Sequence, residues 1–236
     1  MATSKIDPEY RSVEFPSEDG LTITADFYAS PLNRGLILLC HRSHCNRAEY
    51  RQTAPRLAKF GFSCLAIDQR SGMKVFGETN ETSKRAKEKG LATGYLNAKI
   101  DIEAAIKYCF DLNGKKPIFL VGSSYSASLA LICSVANQMV GAVIAFSPGE
   151  FLKGLSVQEE IRELRKPVFV TSSKSEIDDA SKVVRLIEKA YLTQHLPTID
   201  GFHGSKMLWK TVPGSEEYWK GFEKFLDKLA DQIKIV

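Results

Sequence analysis

Apolar runs bounded by glycine, proline or polar turn residues recur along the chain and alternate with longer amphipathic stretches. Residues 12–15 and 21–28 alternate with a period of two across the turn-forming segment Pro16-Ser17-Glu18-Asp19-Gly20, which predicts a pair of strands. The runs at 35–40, 62–67, 117–121, 140–146 and 168–171 are almost continuously apolar, as strands buried on both faces of a sheet are. A last short strand is expected at 196–199. Between the strands, helical patterns cover 47–60 (stopped by Gly61), 98–110 (ended by Asn113-Gly114), 124–136, 158–164, 178–191 and 216–233. The closing helix carries Tyr218, Phe222, Phe225, Leu226 and Leu229 on one side. One stretch breaks the rhythm: residues 68–93 are polar, helical in part over 81–89. Loops of such length are usually functional or mobile.

Strand–helix alternation of this kind predicts an α/β fold: a mostly parallel sheet with helices on both faces and right-handed crossovers. No repeat, low-complexity segment or linker interrupts it, so residues 1–236 are expected to form a single domain.

Composition narrows the partners. With 44% hydrophobic and 25% charged residues the chain is neither disordered nor collagenous. A net charge of +4 is too mild to argue for nucleic acid. The densest basic stretch, Lys84, Arg85, Lys87 and Lys89, is interrupted by Glu88 and reads as a solvated face. Five cysteines, Cys40, Cys45, Cys64, Cys109 and Cys133, form no disulfide framework, which favours a reducing compartment. Residues 1–10 hold no apolar leader, and no apolar run approaches the ~20 residues of a membrane span. These features predict a cytoplasmic protein without a membrane partner; oligomeric state is left open. Cys40, His41, His44 and Cys45 fit neither a structural zinc half-site nor a helical H-E-x-x-H pattern, and no glycine-rich nucleotide loop follows a strand. No metal and no cofactor are expected.

The segment Ile118-Phe-Leu-Val-Gly122-Ser123-Ser124-Tyr125-Ser126-Ala127 carries the chemistry. A strand runs into a tight turn and then a helix, with small residues two before and two after Ser124. That is the context of a nucleophile elbow, in which crowding forbids large flanks. The usual pattern has glycine where Ser126 stands; serine is tolerated there if its φ stays negative. Ser123 would be flanked by bulky Val121 and Tyr125, and Ser126 lies too far past the strand, so Ser124 is the expected nucleophile. Helix capping is the plainer reading of these serines. A serine needs a base, and there are four histidines. His195 precedes the expected last strand and so falls on the wrong sheet edge, whereas His203 follows it. Sites gather at the carboxyl ends of parallel strands. His41 and His44 also follow a strand and can line the same edge. The acid that orients the imidazole is expected after the 168–171 strand. Glu176 is favoured and Asp178 is second, because Asp178 and Asp179 in a helix first turn already serve the helix dipole.

In these motifs, with the order Ser124, Glu176, His203, the chain resembles the α/β-hydrolases, in particular small dienelactone-hydrolase-like and serine-aminopeptidase-like esterases. The resemblance also rests on Cys40-His41-Arg42-Ser43-His44, Arg47-Ala-Glu-Tyr50, Ala66-Ile-Asp68-Gln-Arg70-Ser-Gly72 and His203-Gly204. It implies an α/β-hydrolase fold and an oxyanion hole made by the backbone N–H of Tyr125 and of Ser43, with Arg42 as the alternative. The family usually carries a glycine where this chain has Arg42. The resemblance implies structural roles for Asp68 and Arg70.

The expected function is a serine hydrolase that cleaves carboxylic esters through an acyl-enzyme. Alternatives are a peptidase, thioesterase or acyltransferase on the same triad, or a non-catalytic binding protein of this fold. Residues 147–167 are too few for a substantial lid, and 68–93 holds few large apolar residues. Both point to a shallow site for short acyl groups.

Overall fold

The computed structural model describes residues 10–233. The expectation of a leader-free N-terminus falls, apart from Tyr10, outside these residues. Among the described residues eight strands form one sheet: β1 (Arg11–Pro16), β2 (Thr22–Tyr28), β3 (Leu36–Cys40), β4 (Ser63–Ile67), β5 (Ile118–Ser123), β6 (Val140–Phe146), β7 (Val168–Thr171) and β8 (Leu192–Gln194). Their order is β1-β2-β4-β3-β5-β6-β7-β8. β1 and β2 are antiparallel to each other, and β2 to β4; every other pairing is parallel.

Because side chains alternate along a strand, each central strand feeds two cores. In β3, Leu36, Leu38 and Cys40 face one layer, and Ile37 and Leu39 the other. The first layer packs under α3 (Lys99–Leu112), α4 (Tyr125–Ser134), α5 (Val157–Glu160) and α6 (Ile177–Val184). The second packs under α1 (Ala54–Phe60) and α7 (Ser215–Ile233), with Leu57, Phe222, Phe225 and Leu229 in contact with the sheet layer. The remaining helix, α2 (Glu81–Glu88), lies in the polar stretch.

Two expectations are revised. The 47–60 helix is divided: a 3-10 turn at Arg47–Tyr50 precedes α1, which starts with Pro55 in its first turn. Proline lacks the N–H that would continue a helix across that point. The last strand is Leu192–Gln194 and not 196–199; Leu196 and Ile199 are exposed, so nothing drives them into the sheet.

Residues 68–93 are tethered rather than loose. Asn46 Nδ2 donates to the carbonyls of Met73, Val75 and Glu78. Buried Arg47 bridges Asp26, Asp68 and Glu78, and Asp68 also accepts the N–H of Arg47 and Glu81. Arg70 pairs with Asp101 and Asp19. Asp68 and Arg70 are thus engaged in holding this segment against the sheet. A buried charge needs such partners.

Candidate active site

The carboxyl ends of β3, β5, β6 and β7 converge on one edge, and the elbow stands in the middle of it. Ser124 occupies φ 61°, ψ −127° between β5 and α4. That region is costly for a non-glycine residue, about 1–3 kcal/mol, and persists only where neighbours enforce it. Here the Ser124 N–H is held by the carbonyl of Phe146 at 2.8 Å. The turn is tight enough that a Cβ on Gly122 would lie 2.3 Å from the carbonyl oxygen of Ser126. Ser126 is helical without positive φ, which is why serine serves where glycine is usual. Its hydroxyl donates to the His41 carbonyl at 2.6 Å.

His203 bridges the other two groups. Its Nδ1 lies 2.5 Å from Glu176 Oε1 and its Nε2 2.7 Å from Ser124 Oγ. Burial opposes the charge on Glu176, but hydrogen bonds from His203, Ser173 and Ser147 outweigh it and hold the carboxyl down to about 2. An ionised carboxylate only accepts, so Nδ1 carries the proton and Nε2 is free to accept from the serine. Glu176 closes a capping box with Ser173, and its Oε2 accepts from Ser147 Oγ at 2.8 Å. Ser147 Oγ in turn accepts the Gly204 N–H at 3.0 Å. Asp178 and Asp179 are exposed, and Asp179 pairs with Lys182. Neither touches His203.

His195 follows β8 instead of preceding a strand, so it does reach the carboxyl edge. Its N–H extends the ladder to Val170, but its ring lies beside Phe169 and Tyr218, under α7. It stays out of the site because of the sheet face it occupies. His44 is exposed. His41 is fully buried: its Nε2 accepts the Gln69 N–H at 3.0 Å, so its Nδ1 donates to the Arg42 carbonyl at 2.8 Å. Desolvation pushes this imidazole down to about 4. Cys40 points away from it into the layer under α3 and α4. All five cysteines are unpaired and buried.

Of the oxyanion candidates, Arg42 spends its N–H on Glu49 Oε2 at 2.9 Å. The trans peptide opposes C=O and N–H, so the grip of His41 on the Arg42 carbonyl also fixes the direction of the Ser43 N–H. Tyr125 is the first residue of α4, where N–H groups lack an intrahelical acceptor.

A cavity of about 410 Å³ opens beside His203 and Glu176, walled by Pro148, Phe151, Gln158, Lys182 and Val183. Phe151 lies over Gly149 and meets the His203 ring edge-on. Sequence reasoning passed over Glu49, Ser147 and Ser205. The one available signal was an acid, Glu49, set between Ala48 and Tyr50 in a segment with an apolar side.

A model of the dienelactone hydrolase family matches residues 30–204. The chain belongs to the dienelactone hydrolase family. No curated protein sequence matches this hydrolase. Its fold is shared with solved structures. The Pyrococcus furiosus esterase Pf2001 superposes with a TM-score of 0.71 at 18% identity, over 94% of this chain and 93% of that one. The esterase domain from a Rhodothermus marinus protein gives 0.63 at 13% identity, over 94% and 98%. Dienelactone hydrolase from Anabaena variabilis gives 0.66 at 13% identity, over 92% and 96%. The hydrolase therefore has the α/β-hydrolase fold, with only α5 and its flanking turns where a large lid could stand. Among the described residues no helix is long and apolar enough to cross a membrane, and no cluster of His, Cys, Asp and Glu has the makings of a metal site.

Proposed function

We propose that the protein is a serine esterase acting on small carboxylic esters with short acyl groups, with Ser124, His203 and Glu176 as its triad. The reading is carried by one observation: the His203 imidazole lies within hydrogen-bond distance of both Ser124 Oγ and Glu176. His203 Nε2 takes the proton as Ser124 Oγ attacks the acyl carbon, and returns it to the departing alkoxide. Water then enters with His203 again as base, and the acid is released. Glu176 orients Nδ1–H and stabilises the imidazolium. The N–H groups of Tyr125 and Ser43 hold the oxyanion, each worth about 3–4 kcal/mol in comparable sites.

Short acyl groups suit a cavity whose apolar wall is limited to Phe151, Pro148 and Val183, beside Gln158, Lys182 and Glu176. Each further methylene contributes ~0.8 kcal/mol only where apolar wall receives it. The whole chain works as one domain in this reading, since the site draws on loops from Ser43 to His203. Five unpaired cysteines favour a reducing, cytoplasmic setting. The test is covalent labelling by a fluorophosphonate probe. The native protein should be labelled at Ser124, and Ser124→Ala should not; absence of labelling in the native protein refutes the reading.

A further inference from the structure

Glu49 is fully buried, yet it is not a member of the triad. Its Oε1 accepts from Ser123 Oγ at 2.7 Å and from Ser205 Oγ at 2.6 Å. Its Oε2 accepts the Arg42 N–H at 2.9 Å, with Arg42 Nε 4.0 Å away. Its main-chain carbonyl accepts from Trp209 Nε1 at 2.9 Å. The three donors to its carboxylate, two hydroxyls and one main-chain N–H, share one property. Arg42 directly precedes Ser43, Ser123 directly precedes Ser124, and Ser205 stands two residues after His203. One carboxylate therefore ties together the oxyanion loop, the elbow and the histidine loop. The tie is reinforced by the Ser205 N–H, which donates to Ser123 Oγ at 2.9 Å. The packing leaves no slack: a Cβ on Gly204 would lie 2.4 Å from Ser123 Oγ.

A carboxylate suits this place because it only accepts, and its neighbours are an N–H and two hydroxyls. An uncharged side chain here would leave the Arg42 N–H and the two hydroxyls buried without their acceptor, and would remove the tie that holds the residue next to Ser43 against Ser123 and Ser205. We propose that Glu49 is a positioning residue, which sets the distance between the oxyanion donors, Ser124 and His203 without touching substrate. This inference rests on the reading of Ser124 as the nucleophile.

The experiment is steady-state kinetics with p-nitrophenyl acetate on Glu49→Gln, run where circular dichroism shows parent and variant equally folded. An amide of the same shape has one acceptor oxygen where the carboxylate has two, so either the Arg42 N–H or the pair of serine hydroxyls faces an NH2 instead of an acceptor, while substrate contacts are intact. Misplacement of reacting groups by about 1 Å can cost ~100-fold. The expected result is a kcat lowered ~10- to 100-fold, with KM within about threefold and fluorophosphonate labelling slowed in parallel. A kcat within twofold of the parent overturns the proposal. So does a rise in KM alone, which would place Glu49 in substrate binding. Should Glu49→Gln fail to fold, the double variant Ser123→Ala/Ser205→Ala removes two of the three ties; a kcat within twofold of the parent then overturns the proposal. If the parent itself resists the fluorophosphonate, the nucleophile assignment falls. If the parent is labelled at Ser124 and Glu49→Gln is labelled at the same rate, only the positioning role falls.

Discussion

The two sides of the candidate site are built differently. On the serine side Ser124 is 5% exposed, and Ser123, Glu49 and His41 are fully buried. Glu49 there accepts from Ser123, Ser205 and Arg42, and His41 accepts the Gln69 N–H. On the acid side the His203 and Glu176 side chains are 40% and 30% exposed and border an open cavity. The difference follows from what each side must do in the proposed reaction. Attack on an acyl carbon depends on sub-ångström placement of the nucleophile and the oxyanion donors. An orienting carboxylate needs only one good hydrogen bond and its charge. The serine side is therefore where a substitution should stop turnover, and the acid side where substrate shape is decided.

That contrast can be broken most directly at Ser124. Ser124→Ala should lower esterase turnover by ~10⁴-fold or more, whereas Ser123→Ala and Ser126→Ala should keep a measurable rate. Hydrolysis of p-nitrophenyl acetate checks this, and full activity in Ser124→Ala would contradict the assignment. Next comes the acid. Glu176→Gln removes the charge facing Nδ1 and should cut kcat by ~10²- to 10⁴-fold. Asp178→Asn, which touches nothing in the site, should stay within about twofold. An inverted pattern would move the triad acid to Asp178.

A smaller effect is expected from acid. His41 is neutral in the fold and held at about 4, against an ordinary 6.5. As pH falls below 6.5 the unfolded chain takes up a proton that the fold refuses, so stability declines down to about pH 4. Glu176 works in the same direction lower down. Held at about 2 against 4.5, it contributes stability that is complete above pH 4.5 and lost as pH falls toward 2. Urea midpoints at pH 7 and pH 5 should differ by about 2 kcal/mol in unfolding free energy from His41, and His41→Asn should flatten the difference. The same pH dependence in parent and His41→Asn would count against a buried neutral His41; the comparison is made with the variant because burial raises Asp68 to about 6 and shifts stability the other way over this range.

The mildest effect probes the open side. With p-nitrophenyl esters, kcat/KM should be higher for acetate or butyrate than for decanoate or palmitate. A steady rise with chain length would reveal an apolar channel and remove the contrast between a closed serine side and a shallow acid side.

Much of the fold was legible because its signals are local. Continuous apolar runs mark strands buried on both faces, and Gly122-Ser123-Ser124-Tyr125-Ser126 marks a turn that only small flanks permit. Boundaries were less legible. The 47–60 pattern hid the division before Pro55, and Leu196 and Ile199 looked like strand residues although no sheet position awaited them.

By itself the sequence determined the α/β class, the strand that feeds the elbow, and which serine has room to stand on it. These depend on neighbours within a few residues, where sterics and periodicity act directly. Tertiary structure alone decided which distant groups meet. Glu49 touches Ser123, Ser205 and Arg42 across separations of 74, 156 and 7 residues. Its place between Ala48 and Tyr50 hints at burial, but nothing local tells which loops it meets. Likewise, Glu176 and not Asp178 reaches His203, because the 3-10 turn at Lys174–Glu176 and its capping box aim that one carboxylate at the imidazole. Pairings of this kind exist only once the sheet has brought its strand ends together, since hydrogen bonds act over about 3 Å and carry no trace along the chain.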